Sequence, residues 1–460
     1  MPEKLKIIIF LLMCNFSLRA LYAQNAGPEK KIIEFGWDYP DVSFLKTHIV
    51  DMEKKPFDGV VFSFDFDIYN AFDTIQRADS LFQYKELSQL KWKKFTDNFL
   101  FMRGASITGA HWLDDNSWSK IERNLKKVSK ALSVSKAKGI GFDPEYYYND
   151  STLNPWVYRA SYYRDLSYEQ VGSYVRKRGK QFIKALQADK PDIKILCFWL
   201  LDLFDAQSRT QPATKTGMAL YPFFIEGIME GINQVNSIID GNESSYWYQK
   251  PENFILAGEY LRDRGRDLVY SPLKPKFKDI SVAQSVYFDW IYAKIPSYDK
   301  GFNQATRECY LLDNLYSALK SCDKYVWFYN ERINWWKDDT ASAVEKVIVN
   351  VRGKMLDDQR IKSAVISGNS TIFNFKEEKQ NASYQGFHYN YRQSKNILEI
   401  QILNKDINNL QVYENSRLIV EIKYPAAKSM IDLNKKYARR GNLIIVSTDG
   451  NKTTSVAYVN

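Results

Sequence analysis

Histidine is nearly absent from this 460-residue chain: His48, His111 and His388 are its three, far apart in sequence. That scarcity argues against a zinc centre built on histidine and against a serine–histidine–acid triad. Acid–base chemistry then has to rest on carboxylates, assisted by tyrosine. Cysteine is almost as sparse, with four residues. Cys14 falls in the leader described below; Cys197, Cys309 and Cys322 are odd in number and widely spaced, which argues against a disulfide framework and for buried free thiols. No glycine-rich phosphate turn follows the first apolar run, where "FGWDYPD" stands instead, so a dinucleotide-binding open sheet is disfavoured. No stretch approaches the ~18 uninterrupted apolar residues of a membrane span.

What is present begins with the leader. Lys4 and Lys6 precede the apolar run Ile7–Met13, and "LYA" leads into Gln24, the pattern of a secretory signal peptide cut after Ala23. The protein is therefore expected to be secreted or periplasmic. Lipid anchoring at Cys14 is disfavoured, because Met13 stands where a small residue is wanted. The formal charge is +10, carried by segments such as "KKVSK", "RKRGK" and "KYARR" among many acids. These read as solvated faces; they leave room for an anionic glycan as partner and do not suggest nucleic acid.

Eight apolar runs of strand length follow, with helical segments between them. They are "KIIEFGWD" from Lys31, "GVVFSFDFD" from Gly59, "NFLFMRGA" from Asn98, "GIGFDPEYY" from Gly139, "IKILCFWLLD" from Ile193, "NSIIDGNESSYW" from Asn236, "SVAQSVYFDWIY" from Ser281 and "KYVWFYNE" from Lys324. Helical spacing is clear from Ser167, where Val171, Val175, Phe182, Ile183 and Leu186 recur on one face, and again from Phe302. This alternation predicts an α/β fold, a (β/α)8 TIM barrel over residues 24–360, whose parallel strands are buried on both faces. From about residue 364 to 460 short alternating runs such as "GFHYNYR", "ILEIQIL", "RLIVEIKY" and "NLIIVST" predict a C-terminal antiparallel β-sandwich.

In such a barrel the site lies at the carboxyl ends of the strands. Polar residues end nearly every run: Trp37 and Asp38, Asp65 and Asp67, Arg103, Asp143 and Glu145, Trp199 and Asp202, Asp240, Asn242 and Glu243, Asp289, then Tyr329 and Glu331. Aspartate and asparagine commonly cap helices or close turns, a bland reading that covers Asp38, Asp67, Asp202 and Asp240 in particular. Glutamate favours neither turns nor strands, so Glu145, Glu243 and Glu331 are the stronger candidates. Asp143, one strand period from Glu145, shares its face. Acids gathered round one pocket separate their pKa values, as glycoside hydrolysis requires of its two carboxyl groups. Aromatic residues make up 15% of the chain, and several, including Tyr147, Trp199, Trp247 and Tyr329, stand beside these acids. Such side chains present flat apolar faces to sugar rings.

The segment "GIGFDPEYY" resembles the strand-four signature of the chitinase family of glycoside hydrolases, a D-x-D-x-E run. The resemblance implies Glu145 as proton donor and Asp143 as the acid that orients a substrate acetamido group. Gly141 stands in place of the run's first aspartate, Pro144 replaces its aromatic or small residue, and the sixth strand lacks that family's Met-Tyr-Asp arrangement. A wider resemblance is to a group of secreted bacterial barrel proteins, mostly without assigned activity, that share FDPE, DG-x-ES and VW-x-Y-x-E segments. Phe142 to Glu145, Asp240 to Ser244 and Val326 to Glu331 match these.

The expected function is a secreted glycoside hydrolase, monomeric and without cofactor or metal. Glu145 is its acid/base, with Glu243 favoured over Glu331 and Asp143 as the second carboxylate. Trp37, Asp38, Asp65, Arg103, Tyr147, Trp199, Asn242, Asp289 and Tyr329 are the expected carbohydrate contacts. Two readings stay open: a noncatalytic glycan-binding barrel, marked by affinity without product, and a metal-dependent enzyme using Asp65, Asp67 and Asp143, marked by loss of activity in chelator.

Overall fold

In the computed structural model the described residues are 30–66, 70–163, 166–248, 251–292, 294–296, 303–337, 342–360, 366–369, 386–392, 396–414, 417–433, 443–449 and 454–459. The predicted leader and Asp67 lie outside them. They form two compact units, Lys31–Val351 and Arg352–Asn460, and the division falls within the helix Ser342–Arg360.

The first unit is a (β/α)8 barrel. Its parallel strands are β1 (Lys31–Gly36), β2 (Gly59–Phe62), β3 (Phe99–Arg103), β4 (Gly139–Asp143), β5 (Lys194–Cys197), β6 (Ile238–Asp240), β7 (Ser281–Val282), β8 (Gln284–Tyr287) and β9 (Tyr325–Asn330). β7 and β8 are halves of one barrel strand interrupted at Ala283. The first half pairs with β6 and the second with β9, so the order β7-β6-β5-β4-β3-β2-β1-β9-β8 closes on itself. Inside, Phe35 stacks on Phe198 at 4.3 Å between centroids and meets Phe101 and Trp327 at 5.6 and 5.9 Å. These rings fill the barrel and leave its polar groups at the ends of the strands.

The sequence starts its helices by capping. Asp41 accepts from the Phe44 amide at the head of Val42–Met52, and Ser167 with Gln170 forms a capping box for Tyr168–Leu186. That second helix crosses Tyr221–Gly231 at backbone distance, because a Cβ on Gly179 would stand 2.2 Å from the Phe224 carbonyl and one on Gly227 2.0 Å from that of Arg176. Strands two and five end earlier than their apolar runs: β2 stops at Phe62, and β5 at Cys197, beyond which Asp202 opens the helix Asp202–Ser208.

The second unit holds two antiparallel four-stranded sheets. One has the order β10 (Ile366–Asn369), β11 (Phe387–Arg392), β12 (Ile397–Ile402), β15 (Lys428–Asp432); the other runs β14 (Arg417–Lys423), β13 (Ile407–Glu414), β16 (Leu443–Asp449), β17 (Thr454–Val459). Tyr389, Tyr391 and Ile400 from the first sheet and Leu410, Val412 and Ile445 from the second share one core, which makes a sandwich. Among the described residues no helix is long and apolar enough to cross a membrane.

Candidate functional site

β4 ends at Asp143, whose Oδ1 accepts the Glu145 backbone N–H at 2.9 Å. Pro144, with no N–H of its own, cannot continue the ladder. The chain therefore leaves the strand there, and the Asp143 carboxyl fixes where Glu145 begins. The Tyr147 hydroxyl donates to Glu145 Oε2. Arg103, in register with Asp143 on the neighbouring strand, lays its guanidinium over the Tyr147 ring at 5.1 Å and over Phe101 at 5.5 Å.

Glu243 reaches the same place from β6 through a tightly held turn. Gly241 N–H donates to the Cys197 carbonyl at 2.6 Å, and Glu243 N–H to that of Phe198 at 3.1 Å. Asn242 between them adopts a left-handed conformation (φ 49°, ψ 58°), which asparagine tolerates better than most side chains. Its amide donates to Gln284 Oε1 at 2.7 Å, and its carbonyl accepts the Ser245 hydroxyl at 2.7 Å, itself 2.6 Å from that of Ser285. From β9, Trp327 Nε1 donates to the Gly241 carbonyl at 2.7 Å.

The Glu145 charge acts on the two other carboxyl groups. Burial raises Asp143 to about 7, with the Glu145 charge second, against the opposing pull of the Glu145 amide, Arg103 and Tyr147. Burial raises Glu243 to about 9, followed by the charges of Glu145, Asp143 and Asp202. The Tyr147 phenol is raised as well, first by burial and then by Asp143, Glu145 and Glu243. The residue nonetheless stays 57% exposed while its hydroxyl donates to Glu145.

Glu331 belongs to a second group. Tyr329 donates to its Oε1 at 3.4 Å and receives Trp37 Nε1 at 3.0 Å; Tyr287 also hydrogen bonds to Glu331. Tyr246 joins the two groups: its ring stacks on Tyr329 at 5.0 Å and 12°, and its phenol is raised by burial and then by the Glu243 charge. Glu331 is not among the leading influences on Asp143 or Glu243.

Several expected carbohydrate contacts hold the site's frame instead. Asp38 accepts from Asn330 Nδ2 at 2.9 Å and the Trp335 amide at 2.7 Å, so both its oxygens tie the β9 loop. Asp65 turns both oxygens to Ser43, at the head of the first helix. Asp67, the second member of the anticipated Asp65–Asp67–Asp143 metal site, lies outside the described residues, among which no group of three acids, histidines or cysteines is placed to hold a metal ion. Asp289 is fully buried, and its Oδ2 accepts the amides of Glu331 and Arg332, which positions Glu331. Asn242 is fully buried, and Trp199, 3% exposed, packs on Tyr221. Cys309 is exposed, contrary to expectation, while Cys197 and Cys322 are buried; all three are free thiols.

The rim carries aromatic faces open to solvent: Trp37 at 68%, Tyr147 at 57% and Trp247 at 49%. Tyr287 was not anticipated, although it closes its apolar strand one period before Asp289, and that alternation was the available signal. Glu34 was missed too. It is fully buried in β1, and burial, then the nearby Asp38 charge and a side-chain hydrogen bond with Asp38, raises it well above the ordinary range.

No protein-family model and no curated protein matches the chain. Among solved structures it is similar to a broad-specificity GH5-4 endoglucanase from an uncultured bacterium, at 10% identity over 69% of this chain and 86% of that one, TM-score 0.39. An alpha-amylase from H. orenii matches at 8% identity over 94% and 100% of the two chains, TM-score 0.39. Beta-glucuronidase 2 of Bacteroides uniformis matches at 7% identity over 94% of this chain, TM-score 0.32; the chain spans 46% of that protein's length. Likeness at this level says nothing of what the chain does.

Proposed function

We propose that the protein is a glycoside hydrolase whose carboxyl pair is Glu145 and Glu243. The observation that carries the reading is that Glu145, Asp143 and Glu243 meet from the ends of two different strands: the Tyr147 hydroxyl donates to Glu145, the Glu145 charge raises Asp143, and the charges of both raise Glu243. Glu243, raised to about 9, is the neutral acid at physiological pH. It delivers its proton to the glycosidic oxygen as the bond to the anomeric carbon breaks. Glu145, held by the Tyr147 hydroxyl, supplies the electron pair, to the anomeric carbon or to a proton of the attacking water. This departs from the chitinase resemblance, which implies Glu145 as the proton donor. Asp143 positions Glu145 through its amide and, in its neutral form, leaves room for only one negative charge. Trp37, Tyr147 and Trp247 offer sugar rings an apolar face, and Glu331 with Tyr329 accepts and donates to hydroxyl groups.

The substrate is a neutral glycan. Arg103 is the one cation among the leading influences on Asp143, and none enters for Glu243; an acidic sugar would meet repulsion there. Incubation with a panel of neutral polysaccharides and aryl glycosides, followed by product analysis, tests this. New reducing ends from at least one member are expected. Measurable affinity for a member with no product after long incubation would instead make the barrel a glycan-binding protein.

A further inference from the structure

On the face of the barrel opposite the acids lies a groove lined by lysine. It runs between the last turns of the helix Val42–Met52 and the segment Gln89–Lys94 that leads into β3. Helices of this fold run against the strands, so the end of a helix and the approach to a strand both lie at the face away from the site. The groove encloses about 410 Å³, within the ~300–1,000 Å³ of small-ligand sites. Lys46, Lys54, Lys91, Lys93 and Lys94 line it beside the apolar Ile49, Val50 and Leu90, and all five lysines are exposed.

One acid is present, Glu53, and its Oε1 accepts the backbone N–H groups of Lys93, Lys94 and Phe95 at 2.7, 2.9 and 3.0 Å. Its charge thus orders the loop that carries three of the lysines. Lys54 meets Asp51 at 2.6 Å, so Lys46, Lys91, Lys93 and Lys94 set against the single Glu53 leave the groove an excess of positive charge. A cluster of like charges is relieved by a polyanion.

We propose that this groove binds an anionic polysaccharide through carboxylate or sulfate groups on its sugars, as a second site separate from the acid-lined mouth. The lining selects among polyanions. It has no arginine for bidentate phosphate recognition and no aromatic ring for base stacking, which disfavours nucleic acid. Val50 is its one exposed large apolar side chain, too little to enter a bilayer. Val50, exposed among the lysines, offers a small apolar contact to the C–H face of a sugar.

Calorimetry of the full chain with a galacturonic-acid oligomer, a sulfated dextran and an uncharged dextran, at 50 and 200 mM NaCl, tests the proposal. At least one polyanion binds and the uncharged dextran does not; which of the two binds separates carboxylate from sulfate recognition. Affinity falls roughly twentyfold between the two salt concentrations, as for about three engaged cations. K46E/K91E/K93E weakens binding by at least about tenfold, while K46R/K91R/K93R retains it and so controls for folding. Unchanged affinity in the glutamate variant, equal binding of the uncharged dextran, or no binding of either polyanion would overturn the assignment. Action on a soluble neutral glycan is unaffected by these substitutions, so the groove and the catalytic reading stand or fall separately.

Discussion

At the scale of single residues, what matters is which carboxyl holds a proton. Glu243 does so because it is buried and faces Glu145 and Asp143. Asp143 contributes to that only when ionised, above about 7. Asp143→Asn removes the charge, lowers the Glu243 pKa, and moves the alkaline limb of the kcat/KM profile to lower pH. An unmoved limb would mean that Glu243 does not set it.

Glu34 makes a separate prediction. Its folded pKa lies well above its unfolded value, so the neutral form suits the fold. The stability this gives is fully present below the unfolded pKa, about 4.3, and is lost as pH rises through the folded one. Glu34→Gln keeps the shape without the ionisation and should raise Tm over the wild type at pH 9, with little difference at pH 4; thermal unfolding at the two pH values checks this. Sequence pattern could not mark Glu34. It stands mid-strand in "KIIEFG", where a polar residue at a rim and one inside the wall look alike.

Among elements, the β6–β8 region shows how the site is held. The turn Gly241–Glu243 takes hydrogen bonds from three directions: β5 through its carbonyls, β8 through Gln284 and Ser285, and β9 through Trp327. Trp327→Phe keeps the interior ring but frees the Gly241 carbonyl. We expect kcat to fall roughly tenfold or more through displacement of Glu243, while KM changes little and the protein stays folded by circular dichroism. Loss of KM alone would place Trp327 in substrate binding instead.

The eight strands and the main helices were legible because buried parallel strands and amphipathic helices leave strong periodicities. β7 and β8 read as one strand, and their break at Ala283, where the pairing partner changes from β6 to β9, has no local signal. The roles of Asp38, Asp65 and Asp289 depend on amides distant in sequence: Trp335, Ser43 and Glu331. A strand-end aspartate looks the same whether it meets such an amide or a sugar.

For the molecule as a whole, composition conceals a division of charge. The net +10 suggests a basic surface, yet the mouth of the barrel is acidic and the lysine groove lies at the other face. The aromatic content is divided too: Phe35, Phe101, Phe198 and Trp327 fill the interior, and Trp37, Tyr147 and Trp247 face solvent at the rim. Sequence alone assigned Trp199 to the rim because burial follows from the closed barrel.

The most direct test compares wild type with Glu145→Gln and Glu243→Gln on the neutral glycan that gives product. Each amide keeps its shape and removes the proton chemistry, so each variant should lose about three orders of magnitude or more in kcat while keeping the wild-type Tm near neutral pH. If either variant retained most of its activity, that residue would leave the catalytic pair and the central claim would fail.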